Sequence, residues 1–218
     1  MLKWETGNQT FRIHRLVQEA IREQLPDAQR DAVLQSALWM VNGYLPGDPP
    51  PDDVRSWPIW EPMVAHVEEL ISEAVKARIG QPTSRLASML GMFLAEKSLW
   101  SEAESFARLA LEIDEQMLEP YHPRVATRLN NLAALLQATN RLSEAVLLMR
   151  RALDIDEKSY GPAHPNVAIR LNNLAQLLQA TCRDSLKIHA SNTVFASESA
   201  GCLRELPESH SGDGIEPK

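Results

Sequence analysis

The sequence repeats itself with a period of 42 residues, and this repetition limits the possible folds more than any other feature. Residues 119–141 and 161–183 share 17 of 23 positions without a gap. The same offset relates residues 143–145 to residues 101–103, so a third and more divergent copy begins near Ser84. A period of about 20–50 residues is typical of solenoids, whose units bury their apolar faces against their neighbours.

Each unit carries two apolar stripes with helical spacing. The first stripe has the i, i+3, i+4, i+7 pattern of an amphipathic helix, and the second follows after a break at residues 139–141. In the best copy the two stripes are Leu129, Leu132, Ala133 and Leu136, then Leu142, Ala145, Met149 and Ala152. The sequence therefore predicts an all-α solenoid of helical hairpins. In the divergent copy, Ser101 and Glu104 have the spacing of a capping box at the start of the second helix.

This pattern resembles the tetratricopeptide repeat, and the stretches LNNLA and GPAHP are similar to the kinesin-light-chain type with 42 residues. The resemblance covers residues 84–183 and implies about two and a half repeats, at 84–118, 124–160 and 166–183. It also implies that the first helix of each repeat lines a concave groove for a peptide or protein partner. The groove residues implied in this way are Arg85, Ser88, Met92, Thr127, Asn130, Ala134, Gln137, Asn172, Gln176 and Gln179.

Two asparagine pairs recur at equivalent positions, although asparagine is a poor residue for a helix interior. One interpretation is that Asn130 and Asn172 each bond the backbone of an extended peptide, with one donor and one acceptor. The other interpretation is that Asn131 and Asn173 bond between neighbouring hairpins, and that the pairs are inherited without a remaining cargo. The sequence leaves both interpretations open.

Residues 1–80 do not share the repeat. Phe11–Ile13 alternates like a strand and passes into a helical stretch that Pro26 ends, which predicts the end of a winged-helix-like region at 1–25. The stretch FRIHRLVQEAI resembles the segment that closes the nucleotide-binding module of NB-ARC-type signalling ATPases. His14 matches the histidine that senses the nucleotide phosphate in that family, whereas Arg15 replaces its usual aspartate.

The simpler interpretation of His14 is a satisfied histidine at a strand–helix junction. We favour it because none of the nine glycines is followed by lysine, so the 218 residues contain no phosphate loop. Residues 26–80 are predicted as a helical arm, with helices at 28–45 and up to Ile79, separated by the link PGDPPPDD. The tryptophans Trp39, Trp57 and Trp60 are expected to supply buried area there.

Composition excludes several classes of function. The net charge of −7 argues against a nucleic-acid surface. No signal-peptide core and no run of about 18 apolar residues occurs, so we expect neither secretion nor a membrane span. The two cysteines, Cys182 and Cys202, form no disulfide framework, and we expect a cytoplasmic protein.

Candidate chemistry is sparse in this sequence. His122 and His164 lie one period apart in equivalent links, too far apart for one metal ion, and a role in the turns is expected. The acidic residues Asp154, Asp156 and Glu157 are interpreted as a solvated helix face. We expect no catalytic residues, no metal site and no cofactor, and therefore no enzyme.

The similarity to the repeat stops after Arg183. Residues 184–218 are rich in serine, glycine and acidic residues, and we expect them to be disordered. The third repeat would then lack its second helix, and self-association through its uncapped stripe is expected.

These observations predict a protein–protein interaction scaffold, interpreted as a truncated sensor or regulatory part of a signalling ATPase. The alternatives are a nucleotide-dependent switch or enzyme assembled with a separate chain, and a degenerate fragment without function.

Overall fold

The computed structural model describes the backbone of residues 2–5, 10–13 and 26–202, and the side chains of residues 26 and 29–183. The described part is almost entirely helical, which confirms the all-α class and the solenoid of hairpins. Its helices are α1 (Asp27–Tyr44), α2 (Trp57–Lys76), α3 (Gln81–Glu96), α4 (Trp100–Met117), α5 (Pro123–Ala138), α6 (Leu142–Tyr160) and α7 (Pro165–Cys202).

A short hairpin precedes the helices. Strands β1 (Leu2–Glu5) and β2 (Thr10–Ile13) pair antiparallel, with Leu2 opposite Ile13 and Glu5 opposite Thr10. The predicted strand at 11–13 thus forms part of β2. The helical stretch expected after it lies outside the described residues, as does His14, so the winged-helix interpretation stays a prediction.

Helix α2 of the helical arm packs on α3, the first helix of the repeats, through aromatic side chains. Trp60 is fully buried, and its ring stacks on Phe93 with centroids 5.7 Å apart. Trp57 meets the same ring edge-on at 6.4 Å, and the ammonium of Lys97 lies 3.6 Å above the Trp57 ring. The prediction was wrong for Trp39, which is 52% exposed, because the side of α1 that faces the core carries the fully buried Leu38 instead.

The hairpins α3–α4 and α5–α6 share the same turn. Ser98 and Asn140, one period apart, both adopt a left-handed backbone with φ of 61° and 60°. This local geometry explains the break that the sequence shows after each first helix. The capping box was wrong, because α4 begins at Trp100 with Leu99 as its cap, so Ser101 lies inside the helix. Glu104 accepts hydrogen bonds from Arg108 and Arg141 instead.

Gly91 allows α3 and α4 to approach closely. A Cβ atom at this position would lie 3.1 Å from the carbonyl oxygen of Ala103, a backbone atom that cannot move aside cheaply. The small buried residues Ala103, Ala107 and Ala110 of α4 serve the same close packing.

We expect Gly91→Val to lower the free energy of unfolding by about 1–3 kcal/mol, because the added methyl groups overpack this contact. Gly43→Ala is the matched control: nothing lies within 4 Å of its Cβ position, and the substitution lies within α1. It should raise stability by about 0.5 kcal/mol through helix propensity. Urea denaturation followed by circular dichroism measures both changes, and equal losses in the two variants would contradict the close-packing argument.

The last helix differs from the sequence-based expectation. The backbone of α7 stays helical to Cys202, whereas disorder is predicted from residue 184 onward. Helical hydrogen bonds form between residues four apart along the backbone, so a helix can continue beyond the end of the repeat pattern. The prediction for 203–218 lies outside the described residues.

Candidate protein-interaction groove

The first helices of the three repeats, α3, α5 and α7, together form a surface that we call the groove. A cavity of about 330 Å³ opens in it between α3 and α5. Its lining is mainly apolar, with the acidic side chains of Asp52 and Glu96 among the polar members. The lining residues are Asp52, Ser88, Gly91, Met92, Ala95, Glu96, Trp100, Ala107, Arg128, Asn131, Ala134, Leu135 and Ala138. Three residues that the resemblance implied, Ser88, Met92 and Ala134, therefore come together here.

A second depression of about 470 Å³ lies between α5 and α7. Its lining is more polar and includes three glutamines that the resemblance implied. These residues are Gln137, Asn140, Leu142, Gln176, Gln179, Ala180 and Arg183. The groove thus offers an apolar cavity near its start and amide side chains near its end.

The paired asparagines connect neighbouring hairpins. The Asn173 side-chain amide donates to the Asn130 side-chain oxygen at 3.0 Å, and Asn131 donates to the Ser88 hydroxyl at 3.4 Å. Asn131 and Asn173 therefore bond between neighbouring hairpins, as the second interpretation of the asparagines predicted. The Asn130 oxygen accepts from Asn173 and keeps a second lone pair, so the grip of a peptide by Asn130 stays a prediction. Asn172 is exposed, and its role stays a prediction.

Two further implied residues bond within the chain. Arg85 donates to the Asn42 backbone and side-chain oxygens at 3.2 and 2.6 Å, which ties α3 to α1. Thr127 is exposed and donates to the Pro123 carbonyl at 3.3 Å. The link between α1 and α2 passes close by, since a Cβ atom at Gly47 would lie 3.4 Å from Arg85 and Asp52 lines the cavity. Arg85 therefore holds the arm at one end of the groove.

A buried charge cluster beneath the groove was not predicted. Asp114 of α4 is 1% exposed. Its carboxylate accepts hydrogen bonds from Ser84 at 2.6 Å, from Arg124 at 3.0 Å and from Arg128 at 2.8 Å. Burial lowers the pKa of the Arg128 guanidinium, while the charge of Asp114 opposes that shift. The cluster fixes Arg128 where it lines the cavity.

The next repeat carries the same pair. Asp156 is 1% exposed and accepts from Arg170 at 2.9 Å, so the interpretation of Asp156 as part of a solvated face was wrong. The sequence did hold a signal, since both the acid and the arginine recur at the 42-residue offset. In contrast, Asp154 and Glu157 are exposed, as expected.

The two linker histidines cap helices. The His122 Nδ1 atom accepts from the Arg124 backbone amide at 3.1 Å, and His164 Nδ1 accepts from Asn166 at 3.2 Å. This confirms their role at the turns. Within the described ranges, no group of three acidic, histidine or cysteine residues is placed to hold a metal ion.

The family comparison agrees with this geometry. Residues 83–158 match the family model of the tetratricopeptide repeat, so this part of the chain carries tetratricopeptide repeats. Such repeats are typically non-enzymatic scaffolds for protein–protein interaction, and no catalytic family matches. No curated protein matches the chain. In the part of the chain that the structure describes, no helix is long and apolar enough to cross a membrane.

Solved structures of kinesin-light-chain type share the fold. The nearly identical TPR-like repeats of a kinesin light chain from Podosopora anserina align with a TM-score of 0.50 and 19% identity, over 69% of this chain and 71% of that one. BtubC (BKLC) from P. vanneervenii aligns with a TM-score of 0.51 and 22% identity, over 77% of this chain and 63% of BtubC. At such identity the likeness establishes the fold alone.

Proposed function

We propose that this chain is an interaction scaffold whose groove binds an extended segment of a partner protein, with an apolar residue of the partner beside a basic one. The observation that carries this proposal is the cavity between α3 and α5. Its volume of about 330 Å³ suits one large side chain, and Met92 and Trp100 give it an apolar lining. Burying a large apolar side chain in such a site contributes about 1.5–3 kcal/mol.

The charge at the cavity favours a basic neighbour for that apolar residue. Asp52 and Glu96 are exposed lining residues, and among the described residues neither forms an ion pair. Arg128, the basic residue of the lining, is already paired with Asp114. The net charge of −7 attracts basic partners at long range as well.

The polar end of the groove suits an extended backbone. Gln137, Gln176 and Gln179 each carry an amide that can both donate and accept, which matches the alternating groups of an unpaired peptide backbone. One cavity lies between α3 and α5 and the other between α5 and α7, and this order supports binding of a segment that runs across the three helices.

The test uses a phage-displayed library of linear peptides, which should yield sequences with an apolar residue beside lysine or arginine. We expect Ala134→Arg to weaken binding of a selected peptide by about 30-fold, because the long side chain fills the cavity. Glu96→Lys should weaken it about fivefold, with less effect at high salt. Fluorescence anisotropy of the labelled peptide measures both.

Ala65→Arg is the matched control, since Ala65 is also an exposed alanine in a helix but lies on α2. It should leave the affinity unchanged. Selected peptides without a basic residue, or equal loss in Ala65→Arg and Ala134→Arg, would contradict the proposed mode of binding.

A finer proposal concerns the context of the scaffold. We propose that it serves as the sensor part of a cytoplasmic NB-ARC-type signalling ATPase, which is supported by the resemblance around His14 and by strand β2 immediately before it. On this proposal the 218-residue chain should not bind nucleotide by itself, because one phosphate-sensing histidine cannot replace a phosphate loop. Tight Mg²⁺-dependent binding of labelled ATP or ADP would contradict it.

A further inference from the structure

Helix α7 exposes an apolar stripe that its counterpart in the preceding repeat buries. On α5 the four residues Ala126, Leu129, Ala133 and Leu136 are at most 1% exposed. Their equivalents on α7 are all exposed, with Leu171 at 49% and Leu178 at 38%. We call these equivalents, Ala168, Leu171, Ala175 and Leu178, the seam. The seam shares no residue with the depression in the groove, whose α7 residues are Gln176, Gln179, Ala180 and Arg183.

The covered stripe of α5 shows which kind of helix can pack on these four positions. Helix α6 packs on α5, and its buried residues alternate between small and large side chains. The apolar ones are Leu142, Ala145, Met149, Ala152 and Ile155, and the buried Asp156 beside them is paired with Arg170 of α7. Small residues facing large ones let two helices interdigitate at close distance. The occupant of the seam should therefore be a helix with the same alternation.

The seam itself has this alternation, and it is symmetric when reversed. Around a twofold axis near residue 173, Ala168 would lie opposite Leu178 of a second copy, and Leu171 opposite Ala175 of that copy. Every leucine then meets an alanine, and each pair occurs twice, because an isologous interface repeats every contact across its twofold axis. We propose that two copies of this chain associate through antiparallel contact of their α7 seams.

Charge does not oppose this contact locally. Residues 171–182 contain no charged side chain. The side chain of Arg170 is only 11% exposed, and its guanidinium is paired with Asp156 of the same chain. The remaining repulsion is between two molecules of net charge −7, which salt screens. Self-association should therefore become stronger with salt, whereas binding of a basic peptide in the groove becomes weaker.

One helix face is a small interface, so the dimer should be weak, with a dissociation constant on the order of 10–100 µM. Sedimentation velocity of the full chain over a concentration series measures it. We expect reversible dimers, and at least a tenfold weaker association for Leu171→Glu, which places a charge opposite an apolar side chain. Met40→Glu is the control, because Met40 is 72% exposed on α1 at the other end of the chain of helices.

Crosslinking tests the antiparallel register. In a background with Cys182→Ser and Cys202→Ser, chains carrying Leu171→Cys are mixed with chains carrying Ala175→Cys under mild oxidation. The mixed disulfide between the two kinds of chain should exceed either homodisulfide, because the two positions face each other only across the twofold axis.

Three results would overturn the proposal. The first is a chain that stays monomeric throughout the concentration series, as it would if its own residues beyond 202 covered the seam. The second is a dimer that Leu171→Glu leaves intact, and the third is crosslinking through homodisulfides instead of the mixed one.

Discussion

Asp114→Ala should lower the free energy of unfolding by about 3–5 kcal/mol, the loss expected when one partner of a buried ion pair is removed. Asp114 is 1% exposed and neutralises Arg128, whose side chain is only 11% exposed. The substitution leaves the Arg128 charge buried without its partner, and the Ser84 hydroxyl loses its bond at 2.6 Å. Denaturant unfolding followed by circular dichroism measures the loss.

The double variant Asp114→Ala/Arg128→Met separates the two causes. If the cost comes mainly from the unpaired charge, the double variant should recover about half of the loss or more, since it removes that charge as well. Glu112→Ala is the control on the same helix, because Glu112 is exposed, and it should change stability by about 0.5 kcal/mol or less. A double variant less stable than Asp114→Ala alone would contradict the electrostatic explanation.

The hairpins could be predicted because their determinants are local and repeated. Apolar spacing sets each helix, and a break with Ser98 or Asn140 sets each turn. Gly91 could also be read as a position of close approach, since the repeat pattern places a small residue there. In a duplicated sequence each of these patterns occurs twice, so a pattern that determines structure can be told from a chance one.

The charge cluster and the arm contacts could not be predicted with the same rules. Asp114 and Arg128 lie in different hairpins, and their pairing depends on how one hairpin stacks on the next. The same holds for Arg85 and Asn42, which are separated by 43 positions. The helical pattern around Trp39 does not tell which side of α1 is buried, because that depends on the helices that pack against it. The sequence-based interpretation of single residues was therefore wrong where their burial depends on how distant helices stack.

The groove was predicted in outline but not in its chemistry. The resemblance placed Met92 and Gln137 on one surface, and each of them lines a cavity there, because position within the repeat determines which side a residue faces. That this surface binds a partner stays a prediction. It did not indicate that Asn130 accepts a bond from Asn173, or that Asp52 reaches the cavity from the link. Both depend on neighbours that no single repeat contains.

The second large expected effect on stability concerns two equivalent leucines. Leu129 and Leu171 occupy the same position of an identical LNNLA stretch, yet Leu129 is fully buried and Leu171 is 49% exposed. Leu129→Ala should lower the free energy of unfolding by about 2–5 kcal/mol, because it leaves a cavity at a fully buried position of α5. Leu171→Ala should cost less than about 1 kcal/mol, because water already reaches its side chain.

The comparison requires dilute protein, since a dimer through the seam would bury Leu171 at high concentration and add to the cost of its removal. Circular dichroism in the low micromolar range meets this condition. The two substitutions remove the same atoms from the same local sequence, so helix propensity cancels between them. A large difference can then come only from what covers each helix. Equal losses at low concentration would mean that part of the same chain covers the seam, and the exposed stripe of α7 would have to be given up.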